Sequence, residues 1–306
     1  MKRVIVLFLV LLLMGCTQKV PHEERWGIYS FDLATEKTEL IYSSSKEISG
    51  LSVFGDNFIF SQKTAIDNES EELFSVTMNG TVKQLTNNEF WDLYPIWSSD
   101  GSKIAFLTWR NNTLDIYVMN QDGSNIKELY ASEFHDSDIH WSGNKIVFTR
   151  NSQIWMMDDD GTSAHSITYP PNAGEWGNAN LPFGDYDPRL SPDGSKIVFE
   201  RLVNDISPHG NYDIYIINSD GSGEKALTST GYSQGLASWS HSGDKIVYLV
   251  AAIGTTGKYD LYMMNSDGTN NQDITPDYFP DSFLCHSPVF SEDDSKIYFV
   301  GEWWDD

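Results

Sequence analysis

Residues 135–140 read His-Asp-Ser-Asp-Ile-His, the densest run of metal-capable side chains in the sequence. On a regular extended segment Asp136, Asp138 and His140 share one face, because side chains along a strand alternate with a period of two. His135, Asp138, His140 and, from a distant connection, His286 are the expected ligands of a divalent ion, with His209, Asp187 and Glu175 as residues that neighbouring loops could bring up. Such a nitrogen and oxygen set would suit metal-assisted lyase or hydrolase chemistry on a saccharide. The same residues serve equally well as solvated loop positions and hydrogen-bonded caps.

Three arginines stand near this run. Arg150 and Arg201 each lie two residues past a phenylalanine of their own repeat, Phe148 and Phe199, and Arg189 follows Asp187-Pro188. A guanidinium binds a carboxylate through two parallel hydrogen bonds, so these residues could clamp an acidic ligand. Internal ion pairs with the abundant acidic residues are the other use of them. Trp176, Tyr186 and Tyr232 crowd the same connections, where aromatic faces beside carboxylates suit sugar rings or a positively charged peptide.

Gly231-Tyr232-Ser233-Gln234-Gly235 has the G-x-S-x-G spacing of a nucleophile elbow, which needs a strand before it and a helix after it. Here it falls between two repeats of strand-like composition. With no nucleophile, base and orienting group in view, no catalytic residue is assigned, and the sequence leans away from an enzyme.

The elements that position these residues are repeats. WSSDGSKIAF at 97–106 recurs as LSPDGSKIVF, WSHSGDKIVY and FSEDDSKIYF, and the isoleucine position of this inner half falls at Phe58, Ile104, Ile146, Ile197, Ile246 and Ile297. An outer half, such as DIYVMNQDGSN at 115–125 or DIYIINSDGSG at 213–223, follows every inner one but the last. β-branched and aromatic runs around Asp-Gly turns predict hairpins, and two hairpins make a four-stranded sheet. Trp141 to Ile146 spans two residues fewer than Trp97 to Ile104, so side-chain parity across the strand is kept.

A period near 45 residues built from four short strands predicts an all-β fold, a six-bladed β-propeller. The chain begins with an outer half at Gly27 and ends with an inner half at Val300, so strands from both termini should complete one blade and close the ring. The phrase Ser-Pro-Asp-Gly-Ser-Lys-Ile-x-Phe, with Asp-Ile-Tyr and Asn-x-Asp-Gly, resembles the repeat of TolB-like propellers over essentially all of residues 27–300. That resemblance implies the fold and leaves function open, since such blades serve as binding scaffolds, as lids on peptidases and, in a few lyases, as whole enzymes whose mouth histidines hold a metal.

A formal charge of -24 from 20 basic and 44 acidic side chains disfavours nucleic acid and anionic lipid surfaces as partners. Lys2 and Arg3 precede an apolar run from Val4 to Met14, the form of a secretory signal too short to span a bilayer. Leu13-Met14-Gly15-Cys16 resembles the lipobox of bacterial lipoproteins, which implies cleavage before Cys16 and lipid on that cysteine. Cys285 would then be the one cysteine left beside it, which leaves no disulfide and no cysteine-based zinc site.

The expected layout is therefore a signal peptide over 1–15, a lipidated cysteine and short linker over 16–26, and the propeller over 27–306. The expected protein is a monomeric, lipid-anchored envelope scaffold facing away from the cytoplasm, in the periplasm or at the cell surface, that binds a protein or peptide. A metal-dependent lyase or hydrolase acting on a saccharide at the propeller mouth is the alternative, and a carbohydrate binder without chemistry a third.

Overall fold

The chain starts with β1 (Glu24–Asp32) and β2 (Lys37–Ser44), an outer half with no inner half before it. Blade 1 follows as β3 (Ile48–Phe54), β4 (Asn57–Lys63), β5 (Glu71–Thr77) and β6 (Val82–Gln84), and blade 2 as β7 (Asp92–Trp97), β8 (Lys103–Thr108), β9 (Asp115–Asn120) and β10 (Lys127–Tyr130). Blade 3 is β11 (Asp136–Ser142), β12 (Lys145–Arg150), β13 (Gln153–Asp158) and β14 (His165–Ser166). Blade 4 is β15 (Asp185–Leu190), β16 (Lys196–Asn204), β17 (Asn211–Asn218) and β18 (Lys225–Ala226). Blade 5 is β19 (Ser233–Trp239), β20 (Lys245–Ala251), β21 (Tyr259–Asn265) and β22 (Gln272–Asp273). The last strands, β23 (Leu284–Phe290) and β24 (Lys296–Trp304), join β1 and β2 in the order β2-β1-β24-β23. This is a computed structural model, and it describes residues 24–64, 70–177, 182–204, 210–251 and 259–304.

The two chain ends are joined by a long ladder that runs from Glu24↔Trp304 to Asp32↔Lys296. Six sheets of four antiparallel strands thus form the expected closed ring. Because the closing blade is hydrogen-bonded across the termini, neither end of the repeat presents an unpaired sheet edge.

Inner hairpins keep one register whatever their turn length: Val53↔Phe58, Trp97↔Ile104, Trp141↔Ile146, Leu190↔Ile197, Trp239↔Ile246 and Phe290↔Ile297 are all cross-strand partners. The reason is local chemistry. In Ser-Pro-Asp-Gly, the Gly194 amide donates to Ser191 O (2.9 Å) at a φ of 70°, and the Asp193 carboxylate accepts the Ser195 amide and hydroxyl. Blade 6 has Asp294 where the five other turns have glycine, at φ 58°, and its carboxylate accepts the amides of His241 (2.7 Å) and Ser242 (2.9 Å) from the turn of blade 5. A residue that pays backbone strain here ties two blades together.

Each junction between neighbouring blades has its own apolar core. Leu107, Leu114 and Ile116 of the blade 2 side meet Ile139, Trp141 and Phe148 of blade 3, and five further clusters repeat this around the ring. The phenylalanine of the Lys-Ile-x-Phe phrase is fully buried at Phe60, Phe106, Phe148, Phe199 and Phe299. Inner and third strands run from the loop-bearing face to the Asp-Gly turns, so all turns share one face and the uneven connections gather on the other.

Candidate functional site

The six innermost strands carry a feature that alternation does not anticipate. Each contains a β-bulge, and each bulge has a residue of positive φ: Gly50, Tyr94, Asp138, Asp187, Leu236 and Ser287, with φ between 47° and 57°. Five of these are not glycine, a conformation L residues adopt at a cost of order 1 kcal/mol or more each. Three are followed by proline, Tyr94-Pro95, Asp187-Pro188 and Ser287-Pro288, and a proline inside a strand reading is a legible sign of a bulge.

The bulge on β11 corrects the expected shared face of the His-Asp-Ser-Asp-Ile-His run. Its register slips by one residue between Ser137 and His140, so Asp136, opposite Arg150, and His140, opposite Val147, leave opposite faces of the sheet. His140 Nδ1 accepts the Leu190 amide of blade 4 at 3.1 Å. His135 lies outside the strand, stacked on Trp109 at 4.8 Å with its Nδ1 accepting the Leu114 amide. His286, on blade 6, pairs with Glu302 at 3.0 Å and stacks on Trp26. Among the described residues no three His, Cys, Asp or Glu side chains are grouped as metal ligands, and His209 lies outside the described residues.

What the bulges bring together instead is a set of carboxylates around the ring axis. Asp138 and Asp187 occupy equivalent bulge positions on adjacent blades, and Asp138 Oδ2 accepts the Asp187 amide (3.4 Å) and the Ser137 hydroxyl (3.1 Å). Glu200, on the neighbouring strand β16, accepts the Leu236 amide of blade 5 at 3.1 Å and lies close enough to Asp187 for each to shift the other's protonation. Arg189 is the nearest cation, 3.9 Å from Asp187, and it also donates to Pro188 O. Tyr94, Tyr186 and Tyr212 surround the group, the last two ring to ring at 6.1 Å.

Burial governs the protonation of this cluster. It pushes the Asp138 carboxyl up to about 7, reinforced by the charge of Asp187. Asp187 is raised by burial against the pull of Arg189, and Glu200 is held well above the carboxylate range by burial and then by both aspartates. Not all three ionise together at neutral pH. His140 is moved the other way, down to about 3, by burial and then by Arg189.

Gly235 is what lets Glu200 reach across the junction: a Cβ at that position would lie 2.0 Å from Glu200 Oε2. This gives the last glycine of the G-x-S-x-G coincidence a packing role. The motif does not sit in a connection throughout, since Ser233, Gln234 and Gly235 open β19, and Ser233 Oγ accepts the Tyr212 amide at 3.3 Å.

The remaining candidates are engaged inside the chain or held at its surface. Arg150 is 4% exposed, bonds Asp136 Oδ1 at 2.7 Å and Tyr130 OH at 2.9 Å, and lies over the Tyr130, Phe148 and Trp155 rings. Arg201 is doubly bonded to both Asp185 and Glu224, so neither guanidinium is left to clamp an incoming carboxylate. Tyr186 OH bonds Ser152 Oγ and Pro182 O, whereas Trp176 and Tyr232 are 61% and 50% exposed at the loop face. Cys16 and the apolar run before it lie outside the described residues, among which no helix is long and apolar enough to cross a membrane.

Ring, closure and repeat together define a six-bladed β-propeller of TolB type. No family model matches the chain. An uncharacterized Agrobacterium fabrum protein is 27% identical over 214 residues, 65% of this chain and 68% of that one. The Protein TolB homolog of Chlorobium luteolum is 26% identical over 175 residues, 55% of this chain, and the match spans only 35% of that relative's length. Among solved structures, a TolB candidate from Agrobacterium tumefaciens superposes with a TM-score of 0.69 at 17% identity, over 92% of this chain and 99% of that one. An oligogalacturonate lyase in complex with manganese superposes at 0.56 and 12% identity, over 93% and 98%. These structural likenesses speak for the fold alone.

Proposed function

We propose that the protein is a binding scaffold of the cell envelope, a monomeric propeller, tethered by lipid on Cys16, that engages a protein or peptide at its loop-bearing face. The observation that carries this reading is the axial cluster: Asp138, Asp187 and Glu200 converge beside a single arginine, an acceptor-rich set suited to a lysine or arginine side chain. Similarity to a TolB homolog supports a scaffold role. The engagement of His135, His140 and His286 by their own surroundings favours binding over metal chemistry. β1 enters its blade from the loop face, and the seven residues between Cys16 and Glu24 reach roughly 25 Å at most, which would keep that face toward the membrane.

A photo-crosslinking residue at Ser137, next to the cluster, and another at Asp220, on the turn face, would be introduced in cells of the source organism. Protein adducts from Ser137 are expected. Absence of adducts from both positions, with the protein present in the membrane fraction, would sink the scaffold reading.

A further inference from the structure

Four successive blade junctions display an aromatic ring on the loop face: Phe90, Phe134, Trp176 and Tyr232, at 39%, 43%, 61% and 50% exposure. In three of them an exposed glutamate directly precedes the ring, as Glu89-Phe90, Glu133-Phe134 and Glu175-Trp176. Phe90, Phe134 and Tyr232 each stand four residues before the bulge residue of the following strand. The same local device holds each of them. The Phe90 amide donates to Asn88 Oδ1 (2.8 Å), that of Phe134 to Ser132 Oγ (3.0 Å) and that of Tyr232 to Thr230 Oγ1 (3.1 Å). In the two long connections the residue at this position, Phe183 or Phe283, is half-buried or buried, and in the first of them Trp176 is the ring put outside.

Such rings are costly to expose and are fixed before any partner arrives, which lowers the ordering penalty of binding. Their faces suit cations as well as apolar groups, and one already does so: the Arg110 guanidinium lies 5.3 Å from the Phe90 centroid while Asp92 neutralises it. The glutamates beside them and the net charge of -24 favour a positive occupant.

We infer that this arc of alternating acidic and aromatic residues is the docking surface for an extended segment of a partner protein in which lysine or arginine alternates with apolar side chains. The inference rests on the proposed scaffold function and names the partner's chemistry.

Fluorescence anisotropy with the full chain would use a labelled octapeptide of alternating lysine and leucine, its glutamate-leucine counterpart, and a neutral hexasaccharide as competitor. Saturable, salt-sensitive binding of the lysine peptide alone is expected. The combined variant Phe90→Ser, Phe134→Ser, Tyr232→Ser should weaken it at least about tenfold, as should Glu89→Lys with Glu133→Lys, since exposed hot-spot rings carry most of such an interface. All five are surface residues, and an unchanged melting curve would confirm that the variants fold. Equal binding of both peptides, affinity unchanged by the variants, no binding at all, or displacement by the saccharide would each overturn the assignment. Unchanged affinity in the variants, with Ser137 adducts still formed in cells, would overturn the arc and leave the scaffold function standing.

Discussion

His140 Nδ1 accepts the backbone amide of Leu190 across the junction between blades 3 and 4, and Ser52 Oγ accepts the amide of Trp97 in the same way between blades 1 and 2. Two different side chains at equivalent positions perform one structural task, pinning the next inner strand. The imidazole can do so only while Nδ1 is unprotonated, in keeping with a pKa held down near 3 by burial.

A pH dependence follows from that depression. The unfolded imidazole takes up a proton below about 6.5 while the folded one resists until about 3, so this residue's contribution to stability falls as pH drops through that window, by up to about 1.4 kcal/mol per unit. His140→Asn keeps an acceptor near the same place and does not titrate. Urea unfolding at pH 7.5 and pH 5 should show the wild type losing stability relative to the variant; a constant difference would contradict the buried neutral pin.

Asp138 has the opposite sign. Its folded pKa near 7 exceeds the ordinary carboxylate value, so the wild type loses stability as pH rises from about 4 to about 7. Asp138→Asn keeps an acceptor oxygen, suits the positive φ of 55° and removes the repulsion with Asp187. The variant should gain on the order of 1 kcal/mol over the wild type at pH 8 and little at pH 4.5. Thermal melts at the two pH values decide it, and a variant less stable at pH 8 would be inconsistent with the repulsion.

Gly235→Ala places a methyl against Glu200 Oε2. Displacing that carboxylate from the Leu236 amide should cost roughly 1–3 kcal/mol. Adding Glu200→Ala, which removes the obstructing group, should make the glycine change cheaper than it is alone; additive effects in the double-mutant cycle would refute the contact.

Arg150→Ala strips the partner from the fully buried Asp136, and the expected cost is about 3–5 kcal/mol by denaturant unfolding. Burial raises the Asp136 carboxyl to about 7 even against the pull of Arg150, so without that guanidinium the orphaned acid holds its proton to higher pH still, and the loss should be larger at pH 9 than at pH 6. A loss under about 1 kcal/mol would count against a structural role for this arginine.

The turn phrase, the five- and seven-residue spacings and the unmatched outer half at the start were enough to predict each hairpin's register and the strand that closes the ring. These are local signals, since turn chemistry and two-residue alternation act within some ten residues. Parity failed where its premise did: the His-Asp-Ser-Asp-Ile-His run was read as a regular strand, and one extra residue at Asp138 sends Asp136 to Arg150 and His140 to Leu190. Pro95, Pro188 and Pro288 marked three bulges, but nothing comparable marks those at Gly50, Asp138 and Leu236.

The sequence by itself thus determined the blade, the number of blades and the closure, because each hairpin is specified by contacts between residues close in the chain. Only the tertiary structure decided which chemistry-bearing residues meet. Asp138 lies far in sequence from Asp187 and Glu200 and belongs to another blade, and the three influence one another's protonation because bulged inner strands bring them together. Arg150 and Arg201 find acids on their own blades. Asp136 with Arg150 and Asp185 with Arg201 are cross-strand neighbours of one hairpin, whereas the meeting of Asp138 with Asp187 and Glu200 is set by the packing of sheets around a ring, a long-range geometry that no local spacing encodes.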